Sequence, residues 1–202
     1  MKITAIKQQV KRPDRFSIYV DGVYSFSLSE GAFLKSQLVS GQELTRGQVD
    51  DFKQLSADDK VYNRALRYVA MRQRSEWQVQ DYLRRKDVAP ETITETIARL
   101  QDLGLIDDMR YAQSFVHDRQ LLRPTSRRKL ILELKQKHVP EACITAAFET
   151  VEVDESQSLH EVIVKKRRQS RYQDDQKLMQ YLARQGYGYG DIKAALSESG
   201  SD

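Results

Sequence analysis

The chain has 202 residues, 40% of them apolar and 31% charged, with 9 Gly, 4 Pro and a single cysteine, Cys143. This is the composition of a folded globular protein, and it excludes a disulfide framework or a cysteine-based zinc site. Lys plus Arg number 33 against 29 Asp plus Glu, a net charge of +4, and +3 of it falls within residues 108–150. No run approaches the roughly 18 apolar residues of a membrane helix, and residues 1–15 lack the apolar stretch of a secretory signal, so a reducing cytoplasm is the expected compartment.

The first 30 residues have the period of half-buried strands. Ile3 and Ala5, then Phe16, Ile18 and Val20, then Tyr24, Phe26 and Leu28 alternate with polar or small residues, and Asp21-Gly22 marks a hairpin turn. A two-residue loop pairs Val20 with Val23 and sets Ile18 against Ser25, which splits the apolar side chains between two faces. A bulged loop that pairs Val20 with Tyr24, Ile18 with Phe26 and Phe16 with Leu28 keeps one apolar face and is the expected register. Three short strands need a cover. The following segment with Ala32, Phe33, Leu34 and Leu38 is expected to provide it.

From about residue 45 the period becomes that of short amphipathic helices, punctuated at Ala89-Pro90, Gly104, Pro124-Thr125, Val139-Pro140 and the glycines 186, 188 and 190. An internal repeat organises them. A shift of 51 places Ser75 on Ser126, Val79 on Leu130, Leu83 on Leu134, Val88 on Val139 and Ile93 on Ile144. A further shift of 48 carries Leu130 to Leu178, Leu134 to Leu182, Val139 to Tyr187 and Ile144 to Ile192, while the preceding helix aligns with a shift of 47. The expected fold is mainly α: an N-terminal β cap plus helices over residues 1–60, three-helix units over 61–106, 107–153 and 154–197 with first helices starting near 61, 108 and 156, and a tail at 198–202. Units in series that contact mainly their neighbours make an elongated array.

Catalytic patterns are missing. His117, His138 and His160 fall on different helices or helix ends, Cys143 is expected to be a small packing residue, and no phosphate-binding loop, dinucleotide fingerprint or nucleophile elbow occurs. Paired acids such as Asp107-Asp108 and Asp174-Asp175 precede helices or open them, where they favour the helix dipole. No enzyme, metal or cofactor is expected. Basic side chains are instead grouped on helices: Arg72 and Arg74; Arg110; Arg127, Arg128 and Lys129; and Lys165, Lys166, Arg167 and Arg168. Arginine suits bidentate contacts to phosphate or carboxylate, and the clusters at 127–129 and 165–168 lack neighbouring acids in sequence. The tyrosines are read as packing residues first and as stacking partners for bases second.

At residues 107–116 the chain reads DDMRYAQSFV, after a helix ending in Leu100, Leu103, Gly104, Leu105 and Ile106. Together with the strands around Asp21-Gly22, Ala65-Leu66-Arg67-Tyr68, Tyr82-Leu83 with Lys86, and Glu133-Leu134 with Lys137, this resembles the RecX family of recombinase modulators over residues 1–196. Arg123-Pro124-Thr125-Ser126 and His138 stand where the family pattern has glycines. The resemblance implies a non-enzymatic regulator that lies along the groove of a RecA–DNA filament and inhibits or reshapes strand exchange, ATP hydrolysis and filament growth in DNA repair and the SOS response. Its contact candidates are Arg72, Arg74, Arg110, Arg127, Arg128, Lys129, Lys165, Lys166, Arg167 and Arg168. The alternative is a general nucleic-acid binder acting through phosphate contacts. A monomer is expected, because no long apolar seam remains after the helices are assigned.

Overall fold

The computed structural model describes residues 1–151 and 153–198. Of the expected tail, residues 199–202 lie outside the described residues. By its contacts the chain divides into two compact units, Met1–Gln73 with Val79–Leu105, and Arg74–Gln78 with Ile106 onward.

In the first unit, strands β1 (Ile3–Gln9), β2 (Arg12–Val20) and β3 (Val23–Ser29) form an antiparallel sheet in that order. The inner register is as expected, with Phe16 opposite Leu28 and Ile18 opposite Phe26. The tip differs: Val20 pairs with Val23 across a two-residue turn, and the extra residue is taken up between Tyr24 and Phe26. Asp21 and Gly22 both have positive φ, 49° and 83°, the twisted turn that suits a right-handed hairpin. The bulge at Ser25 then returns Phe26 to the buried face. Ile3, Ile18, Val20, Phe26 and Leu28 are buried there, whereas Val23 and Tyr24 are exposed.

The cover also differs in part. Helix α1 (Glu30–Ser36) contributes Ala32 and Phe33, and Leu38 follows it into the core, but Leu34 points to solvent. Leu44, Val49 and Phe52 complete the lid. The last two belong to α2 (Arg46–Ala70), which begins in a capping box between Thr45 and Gln48 and runs 25 residues, about 37 Å at the usual helical rise. A separate helix start near residue 61 is therefore corrected. Nothing between Gln48 and Ala70 is a Gly or Pro, so no residue stops the helix there. Its first half packs on the sheet through Val49, Phe52 and Ser56, and its second half buries Ala65 and Val69. Helices α3 (Glu76–Arg84) and α4 (Pro90–Asp102) bury Val79 and Leu83, and Ile93, Ile97 and Leu100.

The second unit holds two further three-helix groups with separate cores. One comprises α5 (Asp108–Leu122), α6 (Arg127–Gln136) and α7 (Glu141–Thr150), around Tyr111, Val116, Leu130, Leu134 and Ile144. The other comprises α8 (Glu155–Arg167), α9 (Asp175–Arg184) and α10 (Tyr189–Glu198), around Leu159, Ile163, Leu178, Leu182, Tyr187 and Ile192. Side chains matched by the sequence shifts are buried alike. Val79, Leu130 and Leu178 are each fully buried, as are Leu83, Leu134 and Leu182.

The second helix of each group also ends the same way. Val88, Val139 and Tyr187 return an N–H to the carbonyls of Leu83, Leu134 and Leu182, five residues back, at 3.4, 3.2 and 3.3 Å. The residue before each, Asp87, His138 or Gly186, has φ of 55°, 53° or 94°. His138 thus adopts the left-handed region that Gly186 occupies at the matching position of the next group.

Candidate functional site

Within the second unit, one pair of contacts is made twice. Ser75 and Ser126 are N-cap residues of α3 and α6; each accepts from a backbone N–H three residues on, and each donates its hydroxyl proton onward. Ser75 Oγ donates to the carbonyl of Lys137 at 2.9 Å, and Ser126 Oγ to that of Gln185 at 2.6 Å. Beside them, the N–H of Glu76 donates to the Asp108 carboxylate at 2.8 Å and that of Arg127 to Glu155 at 3.2 Å. These residues match under the shifts of 51, 48 and 47. Partial burial, together with Glu76 and Asp107, keeps the Asp108 carboxyl above its ordinary value, although the Glu76 N–H acts against this.

The second contact point leaves no room for a side chain. A Cβ on Gly186 would stand 2.6 Å from Ser126 Oγ and 3.4 Å from Arg128 Cβ. At the first, His138 carries a ring instead and stacks it on Trp77, centroids 4.1 Å apart. Position 174, the third counterpart of these serines, is Asp174; it caps its own helix through the N–H of Lys177 and can only accept.

The ten expected contact residues separate into two kinds. Arg72, Arg110, Arg128, Lys165 and Arg168 are exposed and make no ion pair among the described residues. Asp107 caps α5 by accepting the backbone N–H of Arg110 at 2.9 Å, a contact that leaves the exposed Arg110 guanidinium uncommitted. The others are built into the fold. Lys129 reaches the side-chain oxygen of Gln185. Lys166 lies over the rings of Tyr172 and Tyr181, 5.3 and 4.6 Å from their centroids. Arg167 donates to the carbonyl of Gln173 at 2.8 Å and pairs with Asp175, tying the end of α8 to the start of α9. Arg127 stacks its guanidinium on Phe148, and Arg74 is half-buried. Arg72 falls in the first unit and Arg74 in the second.

Arg127 and Arg128 line a groove of about 470 Å³ together with Lys135, Tyr187, Ile131 and Leu132, and with the acids Glu155 and Asp191. The Tyr187 hydroxyl is buried there without a hydrogen-bond partner. Burial first, and then Glu155, hold its proton on, so it stays a donor. Lys135 forms an ion pair with Glu141. In the first unit a second groove, lined by Arg12, Lys60, Arg64 and Arg67, brings together cations that sequence spacing did not single out as a group, because Arg12 comes from a strand and the others from a helix.

Among the described residues no group of three or more His, Cys, Asp or Glu is placed to hold a metal ion, and no helix is long and apolar enough to cross a membrane. Partial burial and the nearby Asp108 and Asp107 push the Cys143 thiol up, away from a reactive thiolate.

Four profiles of one family match consecutive stretches of the chain: the RecX N-terminal domain over residues 1–45 and the first, second and third RecX three-helix domains over 62–100, 107–147 and 153–196. Among curated proteins, "Regulatory protein RecX" of Oceanobacillus iheyensis is 30% identical over 98% of this chain and 76% of its own length. The protein of the same name from Listeria innocua is 27% identical over 100% and 77%, and that from Bacillus subtilis 28% over 97% and 76%. Of solved structures, a regulatory protein RecX superposes with a TM-score of 0.75 at 26% identity over 97% of this chain and 98% of its own. RecX from Lactobacillus salivarius does so at 0.60 and 26% over 70% and 95%. The β cap, the thrice-repeated helical group and these matches along the whole sequence agree that the chain belongs to the RecX family of regulatory proteins.

Proposed function

We propose that this protein is a non-enzymatic cytoplasmic regulator that binds a RecA–DNA filament along its groove as a monomer and restrains ATP hydrolysis and filament growth. Its contact units in this reading are the three-helix repeats over 61–106, 107–153 and 154–197. The observation that carries it is the set of exposed cations without acid partners among the described residues, Arg110 and Arg128 in one helical group and Lys165 and Arg168 in the next, with Arg72 two residues past the end of α2. A filament offers acidic protein surface and phosphates at regular intervals, and several weak contacts from linked units add up to avidity. The relatives' name, regulatory protein, agrees with a regulatory role.

The test is the DNA-dependent ATPase of RecA on single-stranded DNA, titrated with this protein. A saturable fall in ATPase is expected. A variant carrying Arg128→Ala, Lys165→Ala and Arg168→Ala should need roughly tenfold more protein for half-effect, a loss of about 1.4 kcal/mol. Lys166 and Arg167 are left in place because they hold α8 to its neighbours. Equal affinity for bare and RecA-coated DNA at physiological salt, with ATPase untouched, would replace this reading with that of a general nucleic-acid binder.

A further inference from the structure

The first unit carries two grooves of opposite character, and α2 lines both. The larger, about 520 Å³, is bordered by Asp14, Glu30, Asp58 and Glu95 against the cations Lys35 and Arg99, the latter stacked on Tyr62 at 3.6 Å. The smaller, about 330 Å³, is bordered by Arg12, Arg15, Lys60, Arg64, Arg67, Tyr68, Met71 and Tyr82 and has no carboxylate in its wall. Arg15 is spoken for: it is buried and bound to Asp59 and Ser27. Arg12, Lys60, Arg64 and Arg67 are exposed and form no ion pair among the described residues; Arg67 spends only its Nε–H, on the carbonyl of Asn63 at 3.2 Å. Four cations held together without a counter-charge repel one another, which costs free energy unless an anion completes the group.

We infer that this groove binds a single-stranded nucleic-acid segment, its phosphates on Arg12, Lys60, Arg64 and Arg67 and a base against the aromatic wall of Tyr68 and Tyr82. Two features choose nucleic acid over an acidic peptide. Lys60, Arg64 and Arg67 follow one another by a helical turn, and from first to last they rise about 10 Å, close to the rise of three nucleotides in one strand. Tyr68 and Tyr82, both half-buried and stacked on each other with centroids 4.0 Å apart and planes 8° from parallel, line the same groove, an aromatic wall for a base and one for which a carboxylate has no use. Tyr62 and Arg99, an equally close aromatic and cation, sit in the acidic groove, where the surrounding carboxylates repel phosphate. The inference rests on the proposed function in its DNA contacts; its binding titrations contain no RecA, so the two readings fail separately.

Anisotropy of a labelled 20-mer of dT is followed over a range of salt concentrations with the full chain, next to a 20-mer of abasic sugar-phosphate. The variant Arg12→Gln/Arg64→Gln/Arg67→Gln should bind the dT oligomer at least tenfold more weakly at low salt. Its slope of log affinity on log salt should be shallower by about 2, since each single-strand phosphate contact contributes about 0.7. Tyr82→Leu should abolish the preference for dT over the abasic strand. Unfolding by urea at the parental midpoint shows that both variants are folded, and Arg64→Glu alone repeats the charge test with one exposed change. An unchanged slope in the triple variant overturns the inference, as does equal binding of dT and abasic strands by the parent, or displacement of the oligomer by polyglutamate at matched charge. An unchanged slope with RecA ATPase still inhibited overturns the groove alone and leaves the filament reading standing.

Discussion

In the first unit the long helix α2 is joined to the sheet by a buried charge, whereas the second unit makes one small set of mostly neutral contacts twice. Asp59, in the middle of α2, accepts from Arg15 at 3.0 Å, from the Ser29 N–H and hydroxyl at 2.9 and 2.5 Å, and from Asn63 at 2.8 Å, so one carboxylate ties β2, β3 and the start of α1 to the helix. In the second unit a serine hydroxyl and a left-handed cap do the joining at two equivalent places. The difference teaches that the sheet, which occurs once, is closed by a singular polar network that fails as a whole, while the repeated contact is modest and tolerates substitution where its neighbours adapt.

Breaking the singular network should have the largest effect. Arg15→Met leaves Asp59 buried without its cation and is expected to cost 3–5 kcal/mol on the order of other broken buried pairs. The midpoint of urea unfolding by circular dichroism, with hydrogen exchange of the β2 and β3 amides, checks it. A loss under about 1 kcal/mol would mean that the remaining donors suffice.

The repeated contact is sharpened by exchanging its two forms. Gly186→Ala places a methyl where φ is 94° and where Ser126 Oγ would be 2.6 Å away, and it should destabilise the second unit by about 1–3 kcal/mol. His138→Gly relieves a strained φ of 53° but gives up the stacking on Trp77, so its net effect should stay within about 1 kcal/mol. Trp77 is the single tryptophan and belongs to the second unit, so its fluorescence reports both variants directly. Equal losses in the two would show that the positions are not counterparts.

The smallest effect is electrostatic. Asp108 has a carboxyl raised above its ordinary 3.8, chiefly by burial, so the folded chain holds that proton more tightly than the unfolded one. The stability this group contributes is present below pH about 4 and is lost as pH rises through its folded value. Asp108→Asn keeps an oxygen for the Glu76 N–H and removes the charge, and it should flatten that part of the pH–stability curve in urea unfolding read by Trp77. A curve identical to the parent's would place the burial cost elsewhere.

Much of this could be read from the residues in order. Period alone separated sheet from helices, and the shifts of 51 and 48 found positions that are buried alike, because a core side chain is constrained by the packing of its own group. Alternation does not give the register at Val20, because it records which residues share a face and says nothing of where an extra residue is absorbed; the strand pairing absorbs it at Ser25, next to a two-residue turn with positive φ at Asp21 and Gly22. Similarity between repeats puts a helix start near residue 61 rather than at Arg46, because it marks where units match, while a helix stops only where its own sequence stops it.

The sequence by itself determined the kinds and order of the elements, the three-fold repetition and the family, since each follows from local spacing of apolar side chains and short motifs. Only the tertiary structure decided which cations are free. Lys166 and Arg167 look the same as Lys165 and Arg168 in a run of four, but a helix turns 100° per residue and sends two of them onto Tyr172, Tyr181 and Asp175 and two into solvent. It likewise brought Arg12 from a strand beside Lys60, Arg64 and Arg67, an assembly of like charge that linear spacing cannot encode because its members are joined through folded space.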